Sequence, residues 1–338
     1  MLEGEIDNRK LVRLSFKKLL LDHNSCVPKI LNYLTGATVR AFCSLNEKGN
    51  DEYIIRAVTR YPKSEKAKAI ESLVDEVVEA DLNDEESIVK AFDGCYGAFI
   101  VTNYWETMDV EKEMEQLRNA KEAIKKAGLA HVVISTLEDT REFVNNSDSK
   151  DSWTTPHEGM YVPHLDGKGK VTQECLDEGI PATYLYTSFY MENFFTTLKP
   201  SRQSDKGPYA LTMPMGDSKL AMVAVADIGK MACAILQDPT LIGKKVGVSS
   251  ESMTVKEIAD IFTKVTGKEV VYNKLPWNIF ASFGFPGADD LANMFRFFDE
   301  NVKGFLSSRE VSEDMTKKMG GTYNFEEWLT ENKAILTF

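Results

Sequence analysis

The sequence has little of what marks secreted, membrane or metal-binding proteins. Its five cysteines are scattered along 338 residues and form no C-x-x-C pair, which argues against a disulfide framework or a zinc site and indicates free thiols. No apolar run approaches the about 18 residues of a membrane-spanning helix. The charged start, MLEGEIDNRK, lacks the layout of a secretory signal. We therefore expect a cytoplasmic protein, with the nucleus as a second compartment, that has no metal site and no membrane partner.

An excess of positive charge is missing as well. The chain carries 40 Lys and Arg residues against 52 Asp and Glu residues, a net charge of −12. Because binding to nucleic-acid phosphates needs a concentrated basic face, this balance argues against direct contact with nucleic acid. Hydrophobic residues make up 43% of the chain, enough at this length for a large buried core.

Strands and helices alternate regularly from Lys29 onward. Branched and apolar runs predict five strands, at Lys29–Leu34, Tyr53–Thr59, Glu76–Ala80, Gly97–Thr102 and His131–Ser135. Three helices are predicted between them, at Ser64–Leu73, Asp84–Phe92 and Val110–Ala127, the last ending at Gly128 and the second capped by Asn83. Continuous apolar strands separated by helices indicate an α/β fold with a Rossmann-type, doubly wound parallel sheet.

The pattern changes after about Arg141. A polar loop over residues 145–159 is followed by a predicted helix at Lys170–Asp177 and a strand at Ala182–Tyr186, and then by shorter mixed elements. We predict a Rossmann domain over residues 27–187 and a smaller C-terminal α/β lobe over residues 188–338 that closes over the cleft, with some of its elements returning to the main sheet. Residues 1–26 are predicted to be an extension. Within it a basic helix is predicted, with an apolar face formed by Leu11, Leu14, Phe16, Leu19 and Leu20. The alternatives are a helix folded onto the parent domain, a poorly ordered extension, and a helix that touches a membrane or a partner.

The first predicted strand ends in a turn that is short of glycine. In dinucleotide-binding folds this turn carries three glycines, which let the backbone approach the pyrophosphate closely. Here Thr35, Gly36, Ala37 and Thr38 supply one, and the next glycine is Gly49. The turn is therefore either a damaged pyrophosphate cradle or a plain strand-to-helix connection.

Arg60 follows the second predicted strand, at a position where an acidic residue would select NAD by binding the ribose 2′-hydroxyl. An arginine there suits the 2′-phosphate of NADP instead, and Lys63 adds a second cation. The alternative is that both are solvated loop charges.

Several longer segments resemble one family in order and spacing. They are the runs RAVTR at residues 56–60, FIVTNYWE at 99–106, HLDGKG at 164–169, FYMEN at 189–193, PMGD at 214–217 and GFPGADDLANMFRF at 284–297. These segments are similar to the NmrA-like family of atypical short-chain dehydrogenases/reductases, and the last run resembles its HSCARG-like branch. The resemblance extends from about residue 27 to the end of the chain.

The resemblance implies an NADP(H) site between the two lobes. It assigns the pyrophosphate to Thr35, Gly36, Ala37 and Thr38, and the 2′-phosphate end to Arg60, Tyr61, Pro62 and Lys63. It assigns the adenine to Asp81 and Leu82, and the cofactor wall to Thr102, Asn103 and Tyr104. It assigns the nicotinamide ribose to Lys168 and the nicotinamide itself to Tyr190, Met191, Glu192 and Asn193. The loss of glycines in the turn implies that cofactor binding is weakened or lost.

Short-chain reductases use a tyrosine followed four residues later by a lysine, which helps the tyrosine pass a proton to the substrate. No tyrosine in this sequence has that partner, and whether the chain is an enzyme stays open. The resemblance implies a regulatory or redox-sensor protein that acts by binding a protein partner such as a regulatory factor, with a homodimer plausible. The alternative is an NADPH-dependent reductase of quinones or related carbonyls that uses Lys168. A third alternative is a relative that has lost the cofactor and keeps only an interaction surface.

Overall fold

The computed structural model describes residues 10–15, 38, 40–41, 53–196, 198–202, 204 and 207–336. Over these ranges the chain forms one seven-stranded sheet and two three-stranded sheets. Every pairing within the large sheet is parallel. The predicted α/β fold with a Rossmann-type parallel sheet is confirmed.

The large sheet has the strand order β11-β6-β5-β4-β1-β2-β3. Its strands are β1 (Lys10–Ser15), β2 (Tyr53–Thr59), β3 (Glu76–Glu79), β4 (Gly97–Ile100), β5 (His131–Thr136), β6 (Ala182–Tyr186) and β11 (Lys245–Gly247). The direction of winding reverses between β1 and β4. In open parallel sheets, ligands bind in the crevice at the carboxyl ends of the strands beside such a reversal.

The central strand β1 corrects the prediction for the start of the chain. Residues 10–15 pair with β2 along their whole length and with β4 at Val12, Arg13 and Leu14, so the predicted helix through Leu11 and Leu14 is wrong. Backbone pairing on both sides overrides a local spacing that suits a helix equally well. The predicted first strand, Lys29–Leu34, lies outside the described residues.

Twelve α-helices accompany the strands in the part of the chain that the structure describes. They are α1 (Glu65–Glu71), α2 (Glu85–Phe92), α3 (Val110–Ala127), α4 (Thr140–Asn145), α5 (Pro163–Asp177), α6 (Val225–Leu236), α7 (Val255–Thr266), α8 (Trp277–Ala281), α9 (Ala288–Glu300), α10 (Val302–Ser307), α11 (Glu313–Met319) and α12 (Phe325–Asn332).

The helices differ from the predictions at two points and agree with them at a third. The cap of α2 is Asp84, whose carboxylate accepts from the Ser87 amide, and not Asn83. The helix α4, which was not predicted, precedes the predicted polar loop and overlaps it only at Asn145; Asp139 caps this helix. Gly128 ends α3 in the left-handed conformation with φ 65°, as predicted.

Side chains of successive residues in the central strands pack into two hydrophobic cores, one on each face of the large sheet. Phe99 of β4 and Val133 of β5 pack on the face that α6 covers. Their neighbours Ile100 and Ile134 pack on the opposite face, against α3 and α5. The sheet is therefore covered on both sides, and its open functional surface is the carboxyl edge.

The C-terminal part of the chain builds a smaller lobe over that edge. Its two sheets consist of β7 (Phe189–Tyr190), β10 (Lys219–Val223) and β12 (Glu251–Thr254), and of β8 (Ser201–Arg202), β9 (Tyr209–Met213) and β13 (Val270–Lys274). Their core is rich in phenylalanine, including Phe194, Phe262 and Phe295. The strand β11 and the helix α6 return to the large sheet. Within the described ranges, no helix has the length and apolar character needed to cross a bilayer.

Candidate active site

A cavity of about 340 Å³ lies where the smaller lobe meets the carboxyl edge of the large sheet. One wall is polar and comes from the ends of β4, β5 and β6 and from α5; it contains Thr102, Asn103, Ser135, Lys168, Thr187 and Ser188. The opposite wall is apolar and belongs to the smaller lobe; it contains Phe285, Pro286, Leu291, Met294 and Phe298. A mostly apolar pocket with a few converging polar groups is the usual form of a small-molecule site.

Among the described residues that line the cavity, Lys168 is the one strong cation. Its Nζ donates to Thr102 Oγ1 and to Glu113 Oε1, each at 2.5 Å. The Glu113 side chain is 1% exposed and that of Lys168 11%. The carboxylate supplies the counter-charge that a buried ammonium needs, and the pair fixes Lys168 at the end of β4.

The helix α5 brings Lys168 to the cavity because its first turns pack unusually closely on their surroundings. A Cβ at Gly169 would lie 2.4 Å from the backbone nitrogen of Asp139, and one at Gly167 would lie 2.5 Å from Val110 Cγ2. The buried Asp166 carboxylate accepts from Thr140, Tyr161 and Val162, which ties the start of the helix to the loop after β5. The helix predicted at Lys170–Asp177 starts seven residues earlier, at Pro163, and Lys168 therefore lies on a rigid element.

Arg60 lies at the end of β2, as the sequence predicts, and already has an anionic partner. Its Nη2 donates to Glu106 Oε1 at 2.7 Å, and its buried Nε has no hydrogen-bond partner among the described residues. Glu106 ends a single 3-10 turn, Tyr104–Glu106, that follows β4. Tyr61 and Lys63 are exposed beside Arg60, and Pro62 is partly exposed. The guanidinium thus joins the end of β2 to the turn Tyr104–Glu106.

The remaining predicted cofactor residues divide into two groups. Asn103, Tyr104, Tyr190 and Asn193 line the cavity together with Thr102 and Lys168. Asp81 and Leu82 follow β3, where the Asp81 carboxylate accepts from the Asn83 backbone and side chain, and Leu82 is buried. The buried Asn103 Oδ1 has no hydrogen-bond partner in the described part of the chain, and it therefore suits a donor on a ligand.

Met191 and Glu192 do not line the cavity, which corrects the position that the resemblance gave them. Met191 is fully buried in the core of the smaller lobe. Glu192 accepts from the Val225 amide at the start of α6 and from the Trp328 indole. Burial raises the pKa of Glu192 to about 7, although these hydrogen bonds favour its charged form. Met191–Phe195 is a 3-10 turn, in which residues three apart lie on the same side. Of the four predicted residues, Tyr190 and Asn193 therefore line the cavity together.

The glycine-poor turn is the part of the predicted site that the structure describes least. Thr38 is helical and fully buried. Thr35, Gly36 and Ala37 lie outside the described residues, as does Gly49. The weakened pyrophosphate cradle stays a prediction.

A buried histidine on the cavity wall was not anticipated from the sequence. His164 Nδ1 lies 2.6 Å from Asp290 Oδ1, and the imidazole lines the cavity four residues before Lys168 on α5. The pattern of a tyrosine four residues before a lysine does not include histidine, and His164 was therefore not predicted. The signal was present in the run HLDGK, residues 164–168.

The comparisons with known proteins agree with this architecture. The model of the NmrA-like family matches residues 33–329. The NmrA-like family domain-containing oxidoreductase malD of Malbranchea aurantiaca is 30% identical over 231 residues, 65% of this chain and 67% of its own length. The NmrA-like family domain-containing protein DDB_G0286605 of Dictyostelium discoideum is 25% identical over 311 residues, 88% of this chain and 93% of its own length.

Two solved structures share the fold. NmrA, a negative transcriptional regulator, superposes with a TM-score of 0.72 at 17% identity, covering 96% of this chain and 95% of its own. The NADPH-dependent quinone oxidoreductase QOR2 of Escherichia coli, complexed with NADPH, superposes with a TM-score of 0.65 at 21% identity, covering 95% and 99%. The family model spans nearly the whole chain, including the cavity and its lining, and the chain belongs to the NmrA-like family.

Proposed function

We propose that the protein is an NADP(H)-dependent oxidoreductase that reduces flat, apolar carbonyl compounds such as quinones. The observation that carries this proposal is the cavity, because its polar wall at the carboxyl edge of the sheet faces an apolar wall of the smaller lobe. A protein that only sensed the dinucleotide would not need an apolar pocket beside the nicotinamide end of the site. Both malD and QOR2 carry oxidoreductase names, which supports this assignment.

The described residues fit the cofactor at two points. The partnerless Arg60 Nε is a donor that a 2′-phosphate oxygen would satisfy, and the partnerless Asn103 Oδ1 is an acceptor for a ribose hydroxyl or an amide. Arg60 with Lys63 would hold the phosphate, and Lys168 with Asn103 would hold the nicotinamide ribose. The bound cofactor would supply a hydride at the cavity. Tyr190 and Asn193 would exclude water on the side of the smaller lobe.

The reductase alternative from the sequence uses Lys168 as the acid and base. The contacts of Lys168 do not favour this role. Its ammonium is engaged by Thr102 and Glu113. We assign it the binding and orientation of the ribose, where a fixed positive charge is useful.

Calorimetric titration with NADPH and NADH tests the cofactor assignment. We expect NADPH to bind more tightly than NADH. Arg60→Ala should remove most of that preference, because the part of the cofactor that the guanidinium would contact is the 2′-phosphate, which NADH lacks. NADH binding by the same variant is the internal control. Absence of heat with NADPH at high micromolar concentration would overturn the assignment, and a wild type that binds NADPH but reduces no member of a quinone panel would overturn the reductase function.

A regulatory role is the second candidate, and the Arg60–Glu106 ion pair favours it. The pair joins the phosphate end of the site to the turn Tyr104–Glu106, whose Tyr104 and Trp105 line the cavity. A 2′-phosphate that captured Arg60 would take this partner from Glu106. Occupancy by NADP(H) would then loosen the turn and alter the surface that a protein partner meets.

Hydrogen exchange across residues 103–110 tests this role. NADPH is expected to change the exchange of these amides more than NADH does, and Glu106→Gln is expected to abolish the difference. Equal changes with both dinucleotides would show that the ion pair does not couple the phosphate to the turn.

A further inference from the structure

His164 and Asp290 form a buried pair on the wall of the cavity. His164 is 6% exposed and Asp290 1%, and 2.6 Å separates His164 Nδ1 from Asp290 Oδ1. A carboxylate can only accept, and therefore we assign the proton of this hydrogen bond to Nδ1. His164 comes from α5 and Asp290 from the first turn of α9, so that the two lobes meet at this bond.

The pair leaves the other ring nitrogen available. His164 Nε2 has no hydrogen-bond partner among the described residues, and it is not among their fully enclosed polar atoms. The ring lines the cavity and lies against the Trp105 ring, with a centroid distance of 4.9 Å. Asp290 thus fixes the orientation of an imidazole whose second nitrogen is open to whatever occupies the cavity.

His164 and Lys168 are four residues apart on α5, and both line the cavity. Residues with this spacing lie on one face of a helix, with about 5–6 Å between their Cβ atoms. The cavity wall therefore carries a group able to transfer a proton beside a cation able to hold a ribose.

The tyrosines near this point are poorly suited to give up a proton. Burial, aided by the neighbouring Asp290 carboxylate, raises the pKa of the Tyr104 hydroxyl. Burial also raises the pKa of Tyr190. Neither is followed four residues later by the lysine that activates a phenol in short-chain reductases.

We propose that His164 is the proton donor of the reduction and that Asp290 is its positioning residue; this inference rests on the proposed reductase function. The electrophilic carbon of the substrate gains the hydride that NADPH supplies, and the electron pair of the C=O bond moves to oxygen. That oxygen takes the proton from the protonated His164 Nε2, which gives an alcohol. From a quinone the same addition gives a hydroxydienone, which becomes the hydroquinone when the carbon that received the hydride loses a proton to solvent and the second carbonyl oxygen gains one. Solvent then returns a proton to Nε2, while Nδ1 keeps its proton on Asp290.

A role confined to holding the two lobes together is the competing explanation. The variants His164→Gln and Asp290→Asn distinguish proton transfer from this purely structural role. Both keep polar groups of similar size at buried positions, and His131→Gln is the matched control because His131 is also buried but lies at the amino end of β5. Calorimetry with NADPH and thermal unfolding establish that each variant is folded and binds cofactor.

Turnover is the first readout. We expect His164→Gln to lower kcat for quinone reduction by roughly 10²- to 10⁴-fold, the usual contribution of a general acid, with NADPH affinity within about twofold of wild type. Asp290→Asn should lower kcat by tenfold or more on the same principle, and His131→Gln should leave it unchanged. A folded His164→Gln variant with wild-type kcat would overturn the inference. A wild type with no NADPH binding or no turnover would instead overturn the proposed function, and this inference with it.

The second readout needs neither cofactor nor substrate. Long-range proton–nitrogen NMR spectra of the protein labelled at its four histidines report which ring nitrogen carries the proton. We expect one histidine whose ring proton lies on Nδ1. Its signals should disappear in His164→Gln, and its preference for Nδ1 should be lost in Asp290→Asn. An unchanged pattern in Asp290→Asn would refute the positioning role.

Discussion

At the scale of single residues, the Lys168–Glu113 pair matters because both charges are withdrawn from water. Buried ion pairs contribute little net stability relative to apolar residues, but removal of one partner leaves the other uncompensated. Each side chain is 11% exposed or less. The two residues should therefore behave as a unit in unfolding experiments.

Lys168→Met is expected to lower the free energy of unfolding by about 3–5 kcal/mol, because the Glu113 carboxylate would stay buried without a counter-charge. The double variant Lys168→Met with Glu113→Gln should recover at least half of that loss, and urea unfolding measures both. The exposed pair Lys256–Asp260 is the control, since Lys256→Met should cost less than about 1 kcal/mol. Equal losses in the single and double variants would contradict this account.

Glu192 predicts a pH dependence of stability. Its pKa is about 7 in the fold against an ordinary value of 4.5. Between these values the folded protein holds a proton that the unfolded chain has released, and the free energy of unfolding therefore falls as the pH rises. The total loss is about 3 kcal/mol between pH 4.5 and pH 7.

Glu192→Gln should remove this loss, because glutamine keeps the oxygen that accepts from Val225 and does not ionise. The free energy of unfolding of the variant, minus that of wild type, should rise by about 3 kcal/mol from pH 4.5 to pH 8. Urea unfolding at several pH values measures it. Glu313→Gln, at an exposed carboxylate on α11, is the matched control. Parallel curves for wild type and Glu192→Gln would show that Glu192 is ionised throughout.

At the scale of elements, α5 is the most constrained helix of the site. Gly169 faces the backbone of Asp139, which cannot rotate away as a side chain can. A Cβ there would push the helix from the loop after β5 and carry Lys168 and His164 with it.

Gly169→Ala is accordingly expected to lower the free energy of unfolding by about 1–3 kcal/mol and to weaken NADPH binding. Gly304→Ala on α10 is the matched control, because the Cβ would meet only the Asn301 side chain, which can move. Chemical unfolding and calorimetry give the two quantities. The explanation fails if both alanine variants behave alike.

The elements also show what the sequence could and could not predict. The strand bounds Tyr53–Thr59 and Ala182–Tyr186 and the helix bounds Val110–Ala127 were predicted residue by residue, because their patterns are long and their ends carry caps or turns. The strand β1 was missed because six residues with three apolar side chains suit a helix or a strand, and only its neighbours β2 and β4 decide between them.

The residues of the site also fall into those that the sequence could predict and those that it could not. Residues next to each other in the sequence, such as Thr102 and Asn103, could be assigned to the cavity from one segment. Asp290 could not, because it lies 126 residues from His164 in sequence. The orientation of the Glu192 side chain could not be predicted either, because it depends on the positions of Val225 and Trp328, which are distant in sequence.

At the scale of the whole molecule, the central position of β1 predicts that residues 10–15 are needed for folding. An extension could be removed without effect, whereas loss of residues 2–15 would leave β2 and β4 without the strand between them. We expect this deletion to abolish the cooperative unfolding transition seen by circular dichroism. Deletion of residues 2–8, which ends before β1, is the control. An unchanged transition in the longer deletion would exclude β1 from the stable sheet.

The central position of β1 has a consequence for how the chain reaches its folded state. This strand precedes both of its neighbours in the chain, because those come from residues 53–59 and 97–100. During synthesis β1 therefore stays unpaired along both edges until β2 and then β4 have been made. Because pairing across such sequence separations is slow, the sheet closes late at its centre. A chaperone that shields residues 10–15 on the nascent chain should raise the yield of folded protein more than one that acts on the completed chain.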